Sequence, residues 1–310
     1  MHEFDELKEQ IDHIKPLITP DKLLFIEAGD EDRNPLIHIP AGYIKTMVNP
    51  AMNWMFESEP EASSGNRRIK IPRGKVLGGS SAINAMLYVR GQAADYDEWA
   101  QHGNSGWGFD DILPYFRKAE HAEFTGDNDR FHGRGGPLNV AQLRNRYNGL
   151  DRVIEAAESC GYDQNPDYNG ARQDGFAYYQ VTQKHGMRFS AKKAYLDPAR
   201  RRRNLRVVTG AHVTKLVFDD VGGHAPRARS VQFSWRGRMH EAYAGREIIL
   251  SAGAIQSPQI LELSGIGDPS LLAAHGIGIT AAHNGVGEHL ADHYISRLSW
   301  RLSSPLSINH

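Results

Sequence analysis

The sequence predicts an α/β fold in which a mostly parallel sheet is joined to a β-meander. Residues 23–29, LLFIEAG, form a short continuous apolar run that ends in an acid and a glycine. Such a run is typical of a parallel strand that is buried on both faces. Later in the chain, β-rich segments alternate with turn residues, as they do in a meander. These segments are residues 205–209, 213–218, 230–235 and 247–251.

Apolar residues at helical spacing predict several helices among these strands. They are expected over residues 3–14, 109–119 and 150–160, and from Ser257 to Gly265. In the last helix, Ser257 is the expected N-cap and Pro258 the first helical residue. Gly161 is expected to cap the C-terminus of the helix over 150–160. Helices and strands therefore alternate along the chain, as an α/β fold requires.

Composition narrows the class of protein. The chain has 310 residues and a net charge of −1, so no overall field attracts nucleic acid. Its one cysteine, Cys160, excludes an intramolecular disulfide and a metal site made of cysteines. The first twenty residues lack an apolar signal core, and no apolar stretch is long enough to span a membrane. A cytoplasmic protein is predicted, and peripheral association with a membrane stays open.

A glycine-rich segment, RGKVLGGSSAIN, occupies residues 73–84. Two adjacent glycines, Gly78 and Gly79, allow backbone amides to lie against a ligand without a Cβ in between. Ser80, Ser81 and Asn84 then offer hydrogen bonds to a polar edge. This segment is predicted to contact a bound small molecule.

A second cluster is predicted where EIILSAG runs into a small-residue turn at 252–254 and then into a Pro-initiated helix. Such a junction directs backbone amides and the positive end of a helix dipole toward a cofactor. Glu27 ends the first strand-like run, where an acid can accept hydrogen bonds from the ribose of a dinucleotide. Many strands end in Glu, so a purely structural role for Glu27 stays open.

The two glycine segments resemble the two signatures of the glucose–methanol–choline (GMC) oxidoreductases. Residues 73–84 resemble the first signature, and residues 253–267 resemble the second. The similarity extends over roughly residues 23–300, and NAMLYVRG is typical of the choline-dehydrogenase-like branch. The resemblance implies a Rossmann-type FAD-binding domain and part of a second, α+β substrate domain.

The resemblance also implies the chemistry, which is hydride transfer from the CH–OH group of an alcohol to the flavin of FAD. It places the FAD-binding domain at 23–120 and 190–295, the substrate domain at 121–189 and 296–310, and a helical segment at 1–22. The implied FAD contacts are Glu27, Arg73, Leu77, Gly78, Gly79, Ser80, Ser81, Asn84, Val213, Ala252, Gly253, Ala254, Asp292 and His293.

Two departures from the family pattern affect the expected activity. The chain contains no Gly-x-Gly-x-x-Gly, the motif that admits the FAD pyrophosphate to a helix N-terminus. The family's catalytic His corresponds to a position beyond residue 310, so no catalytic residue is assigned. We therefore expect the isolated chain to bind FAD weakly or not at all and to lack turnover. A non-catalytic module with the family fold, or a complementing chain, stays open, and the substrate alcohol is undetermined.

Two short patterns suggest rival chemistries. His289 and His293 have the spacing of metal ligands on a helix, but HLADH lacks the Glu of a metalloprotease. Ser190 and Lys193 satisfy S-x-x-K, although the accompanying KTG and SDN motifs are absent. No metal site and no acyl-transfer site is predicted.

Overall fold

A computed structural model describes residues 22–219, 225–293, 295–296 and 298–299. The chain divides into two compact units. Unit 1 comprises the described residues within Met1–Glu31 and Arg200–Arg297, and unit 2 those within Asp32–Ala199 and Leu298–His310. Each unit combines helices with parallel and antiparallel strand pairs, so the predicted α/β class is confirmed. The helix predicted over 3–14 lies outside the described residues.

The strands are β1 (Leu23–Ile26), β2 (Phe56–Glu57), β3 (Lys70–Ile71), β4 (Glu120–Ala122), β5 (Leu138–Gln142), β6 (Gln180–Val181), β7 (Gln183–Lys184), β8 (Met187–Arg188), β9 (Leu205–Val208), β10 (Ala211–Asp219), β11 (Arg227–Trp235), β12 (Arg238–Tyr243), β13 (Ile266–Gly267) and β14 (Ala281–Ala282). The α-helices are α1 (Pro35–His38), α2 (Tyr43–Thr46), α3 (Ala93–Gln101), α4 (Phe109–Ala119), α5 (Asn148–Ser159), α6 (Asp197–Ala199), α7 (Gln256–Leu263) and α8 (Pro269–Ala274). Short 3₁₀ turns and one π-helical turn, Lys192–Leu196, complete the elements.

In unit 1, β1 pairs in parallel with β9. The prediction that β1 is buried on both faces is wrong. Leu24 and Ile26 pack against the core formed with Val208, but Leu23 and Phe25 are 55% and 39% exposed. Among the described residues β9 is the only strand that pairs with β1, and the face that carries Leu23 and Phe25 is partly open to solvent.

The predicted meander is present as the antiparallel sheet β10–β11–β12. It includes β12, which the sequence reading did not identify, and β9 belongs to the parallel pair instead. The strand predicted over 247–251 is not formed, and Ile249 there is 72% exposed. A strand needs a hydrogen-bonded neighbour, and within the described part of the chain no strand pairs with this segment.

Two β-bulges interrupt the β10–β11 ladder. The register advances by one extra residue on β10 at Thr214 and by one extra residue on β11 at Arg229. The first bulge directs Leu216 into the core and leaves Lys215 exposed. Because the bulges lie on opposite strands, they cancel, and both ends of the ladder keep the same register.

The helix predictions agree well with the structure. The helix predicted over 109–119 is confirmed as α4. The helix predicted over 150–160 is α5, which ends at Ser159. Cys160 follows, and then Gly161, whose φ is in the left-handed region. Cys160 is exposed. The last helix is α7, but its N-cap is Ile255 and not Ser257, and its first residue is Gln256 and not Pro258. Ser257 instead lies in the first turn, because its amide donates to the carbonyl of Gly253 at 3.0 Å.

Units 1 and 2 do not coincide with the domains implied by the resemblance. Those domains are defined by the residues that surround the cofactor and the substrate. Those domain boundaries stay a prediction. Within the described ranges, none of the helices combines the length and apolar character that crossing a bilayer requires.

Candidate cofactor site

The glycine-rich segment of unit 2 forms a tight turn at its two glycines. Gly78 and Gly79 have φ values of +97° and +54°, which glycine adopts without the strain that a side chain would add. Apart from Gly79 and its two chain neighbours, no described residue has a heavy atom within 4 Å of a Cβ built on Gly79. Backbone at this turn therefore faces open space, which a flat ligand ring could occupy.

The rest of this loop is held firmly. Val76, Ala82 and Ile83 belong to a buried apolar cluster. The backbone closes on itself at Gly74, whose amide donates to Ser80 Oγ at 3.0 Å, and a Cβ on Gly74 would lie 2.2 Å from the carbonyl oxygen of Gly79. Gly74 is thus required by packing, a role that the sequence reading did not assign.

Several predicted contacts in unit 2 are already engaged within the protein. Ser81 Oγ donates to the carbonyl of Gly78 at 2.6 Å and accepts from the amide of Ala191 at 2.9 Å. Asn84 Oδ1 accepts from the amide of Met86 at 3.0 Å. Leu77 is fully buried, so neither its side chain nor its backbone is open to a ligand.

Arg73 is fixed by a residue that sequence reasoning missed. The buried Asn53 accepts from the Arg73 amide at 3.0 Å through Oδ1. The same oxygen accepts from the amide of Met55 at 3.0 Å. An asparagine in a polar stretch gives no sequence signal of this role.

In unit 1, Glu27 follows β1 directly, as predicted. Its amide donates to the carbonyl of Val208 at 2.9 Å, and its carbonyl accepts from Ala211 at 2.9 Å. Its carboxylate accepts from the amide of Gly29 at 2.7 Å. Glu27 is therefore held at the carboxyl end of a parallel strand, next to the start of β10.

The turn at residues 252–254 is exposed and leads into α7. Gly253 has a φ of +92°, and among the described residues other than its two chain neighbours, none has an atom within 4 Å of a Cβ built on it. This geometry matches that of Gly79: a left-handed glycine whose backbone faces open space. The predicted proximity of Glu27 to Gly253 stays a prediction.

Contacts of α7 and its C-cap link the other predicted residues of unit 1. The Oγ of Ser264, the C-cap of α7, accepts from the amide of Leu216 on β10 at 2.8 Å, three residues after Val213. At the other side of the helix, Glu262 packs so closely on Gly287 that a Cβ there would lie 2.3 Å from Glu262 Oε1. Unit 1 thus connects the strand of Val213, the 252–254 turn and the segment that leads to residue 292.

Val213 packs against the core of unit 1 and lies opposite Phe233 in the β10–β11 ladder, and the bulge at Thr214 follows directly. Asp292 and His293 are exposed, and Asp292 Oδ1 accepts from the amide of His293 at 2.9 Å. His293 Nδ1 also lies 3.3 Å from the same oxygen, and neither side chain has another partner among the residues that the structure describes.

A buried charged cluster in unit 2 is the strongest electrostatic feature. His132 is enclosed, with Nδ1 at 2.9 Å from Glu120 Oε1 and Nε2 at 2.9 Å from Asp167 Oδ1. Arg90 lies 2.6 Å from the same Glu120 oxygen. Burial alone would lower the pKa of His132, but the hydrogen bonds to Asp167 and Glu120 outweigh it and raise that pKa to about 9.

The cluster is structural in character because it joins distant segments. The Arg90 amide donates to Asn169 Oδ1 at 2.8 Å, and Asn169 in turn donates to Gln180 on β6. Burial works against the charged carboxylates, but the hydrogen bond from His132 helps to hold the pKa of Glu120 and of Asp167 below their usual values. These side chains form a buried, ion-paired cluster. Arg90 contributes to it from the segment that follows the glycine loop.

The rival patterns gain no support. Lys193 Nζ donates to the carbonyl of Arg188 at 3.0 Å, so Lys193 is not aimed at Ser190 as an acyl-transfer base. Among the described residues, no group of three or more His, Cys, Asp or Glu is arranged to hold a metal ion.

Several known proteins are similar to this chain in sequence and in structure. The chain is 41% identical over 271 residues to an oxygen-dependent choline dehydrogenase of Rhizobium johnstonii, covering 87% of this chain and 48% of that protein. It is 38% identical over 307 residues to the protein of the same name in Vibrio vulnificus, covering 98% and 52%. The structure of pyridoxine 4-oxidase from Mesorbium loti superposes with a TM-score of 0.77 at 33% identity, covering 84% of this chain and 50% of that one.

An FAD-dependent oxidoreductase from Chaetomium thermophilum superposes with a TM-score of 0.76 at 29% identity, over 91% of this chain and 48% of that one. The fold is thus the Rossmann-type α/β fold of FAD-dependent oxidoreductases, as predicted. A profile of the GMC oxidoreductases matches residues 40–295, and the chain belongs to that family. It spans about half the length of the curated relatives it matches.

Proposed function

We propose that this chain forms the FAD-binding part of an oxidoreductase that oxidises the CH–OH group of an alcohol, with choline as the first candidate substrate. The observation that carries the proposal is the pair of left-handed glycines, Gly79 and Gly253, each with backbone that faces open space inside a family signature. The relatives named as choline dehydrogenases support the choice of substrate class.

The residues present fit FAD. In unit 1, Glu27 would accept hydrogen bonds from the adenosine ribose, and the backbone of Val213 would meet the adenine. The exposed turn at 252–254 would offer its amides to the cofactor, with Asp292 and His293 as further contacts. In unit 2, the turn at Gly78 and Gly79 would let the flavin ring approach the backbone.

Side chains of the same loop would then orient the flavin. Asn84 Oδ1 is engaged, and among the described residues no hydrogen bond involves its Nδ2, which would donate to the ring. When bound, FAD supplies the hydride acceptor. The residues of this chain would bind and orient the cofactor and exclude water from it.

The compartment and partners belong to the same proposal. An exposed single thiol, Cys160, suits a reducing cytoplasm, where no disulfide would form. The small alcohol and FAD are the proposed ligands, and the near-neutral charge gives no support for nucleic acid.

Titration of FAD into the purified chain, from micromolar to millimolar concentration, tests the cofactor site. Glu27→Gln is expected to weaken FAD binding by about tenfold or more, since a hydrogen bond to a charged group contributes about 1.5–3 kcal/mol. Glu59→Gln, at an exposed glutamate of unit 2, is the matched control and should leave binding unchanged.

Dye reduction with choline, measured on the chain loaded with FAD, tests the activity. Turnover of choline would support the full proposal. FAD binding without turnover would favour the non-catalytic module, and the absence of any saturable FAD binding would overturn the proposed function.

A further inference from the structure

Arg188, at the end of β8, is a charged side chain that is only 1% exposed. Its Nε donates to the carbonyl of Ile37 at 2.7 Å. Its remaining hydrogen bonds all go to the glycine-rich loop: Nη1 donates to the carbonyl of Ser81 at 3.0 Å and to Asn84 Oδ1 at 2.9 Å. Nη2 donates to the carbonyl of Asn84 at 2.7 Å. One buried guanidinium therefore holds two residues of the loop.

Within the described part of the chain, no carboxylate forms an ion pair with Arg188. The acids Asp32 and Asp197 pair with Lys192 instead. Burial lowers the pKa of Arg188 to about 10, which still leaves the group charged at neutral pH. A buried and unpaired cation costs stability, so its carbonyl partners alone must compensate it.

The backbone after Arg188 supports the same loop. The amide of Ala191 donates to Ser81 Oγ at 2.9 Å. A Cβ on Gly78 would lie 3.2 Å from Lys192 Cβ, so this segment packs directly under the glycine turn. Segment 188–192 therefore packs against the loop at Gly78 and is hydrogen-bonded to it at Ser81 and Asn84.

The hydrogen bonds also fix how Asn84 can act. Arg188 has only donors, and the Met86 amide is a second donor to the same side chain, so the oxygen of Asn84 must face them. Polarisation by a cation at Oδ1 makes the amide nitrogen a stronger donor. Asn84 Nδ2 is therefore both oriented and strengthened for a ligand acceptor.

We propose that Arg188 is the positioning residue of the cofactor loop, which holds Ser81 and Asn84 in the arrangement that receives the flavin portion of FAD. The proposal rests on the proposed function, since it deepens the role of the same loop. Arg188 does not touch the ligand in this account, and it acts only through the two residues that it binds.

Amide hydrogen exchange of the chain without ligand provides the first test. In Arg188→Gln, exchange of peptides that cover residues 78–86 should rise about tenfold or more, because hydrogen bonds from a charged donor are lost. Arg188→Lys should give a smaller rise. Arg68→Gln, at an exposed arginine of the same unit, is the control, and peptides over β10 in unit 1 report that the chain stays folded. Unchanged exchange over 78–86 in Arg188→Gln would overturn the proposal.

Ligand affinities provide a readout that a general loss of stability would not give. Arg188→Gln should weaken FAD binding about tenfold and leave binding of ADP, which lacks the flavin, unchanged, while Arg188→Lys should recover part of the FAD affinity. Equal weakening of FAD and ADP would mean that Arg188 serves the fold alone. If the wild-type chain binds neither ligand, the proposed function fails, and the exchange experiment decides the role of Arg188 by itself.

Discussion

His132 is the residue whose charge depends most on its neighbours, because both of its ring nitrogens face carboxylates. Its pKa is raised from 6.5 to about 9. The ion pairs therefore stabilise the fold fully below pH 6.5 and are lost as the pH rises through 9. We expect the free energy of unfolding to fall over that window by about 3 kcal/mol at most. Urea denaturation at a series of pH values measures this change.

His132→Gln should remove the decline and lower the stability at neutral pH, since Glu120 then stays buried with only Arg90 as a charged partner. His102→Gln is the control, because His102 has a side chain that is 73% exposed and a partner that is equally open to solvent. If His132→Gln kept the wild-type slope between pH 6.5 and 9, the titration would belong to another group.

At the scale of elements, α7 and β10 are joined by the hydroxyl of a single residue. Ser264 Oγ accepts from the buried amide of Leu216 and donates to the carbonyl of Ile260. Ser264→Ala leaves the Leu216 amide without its partner inside the core of unit 1. We expect a loss of about 1–3 kcal/mol in the free energy of unfolding, measured by chemical denaturation.

Ser270→Ala provides the comparison, since that serine is exposed on α8 and its substitution should change stability by less than about 0.5 kcal/mol. Equal effects of the two substitutions would show that the Ser264 bond does not hold the helix to the strand.

Elements that depend on their own sequence were predicted best. The helix over 109–119 has an apolar face and charged ends, and the glycines at 78, 79 and 253 mark backbone that only glycine adopts easily. Elements that depend on neighbours were not: residues 247–251 read as a strand but have no described strand beside them.

The support behind the site could not be predicted for a related reason. Arg188 is separated from Asn84 by more than one hundred residues, and its partners are mainly carbonyl groups, which every residue carries. Asn53 and Gly74 likewise act through packing and backbone contacts. Sequence patterns reveal the residues that face a ligand more readily than those that hold them.

At the scale of the whole chain, exposed apolar residues of unit 1 predict self-association. Leu23 and Phe25 lie on β1, which has one described neighbour, and Ile249 is largely exposed. Open strand edges and apolar patches promote association between chains. Phe25→Lys should raise the concentration at which the chain associates by roughly tenfold, as followed by sedimentation velocity.

Ile44→Lys serves as the matched substitution, because Ile44 is 59% exposed on a helix of unit 2. It should leave the association unchanged. A wild-type chain that sediments as a monomer at every concentration, or an equal response to both substitutions, would contradict the role of β1.

The paired bulges of the meander restrict the insertions and deletions that this part of the sequence can accept. Loss of Thr214 alone, or of Arg229 alone, would leave one end of the β10–β11 ladder out of step by one residue. A slip of that kind turns inward-facing side chains outward, including those that pack around Val208 and Phe233. Loss of both residues would restore one continuous register. Insertions and deletions at these two positions are therefore expected to be inherited as a pair, although fifteen positions separate them in the printed sequence.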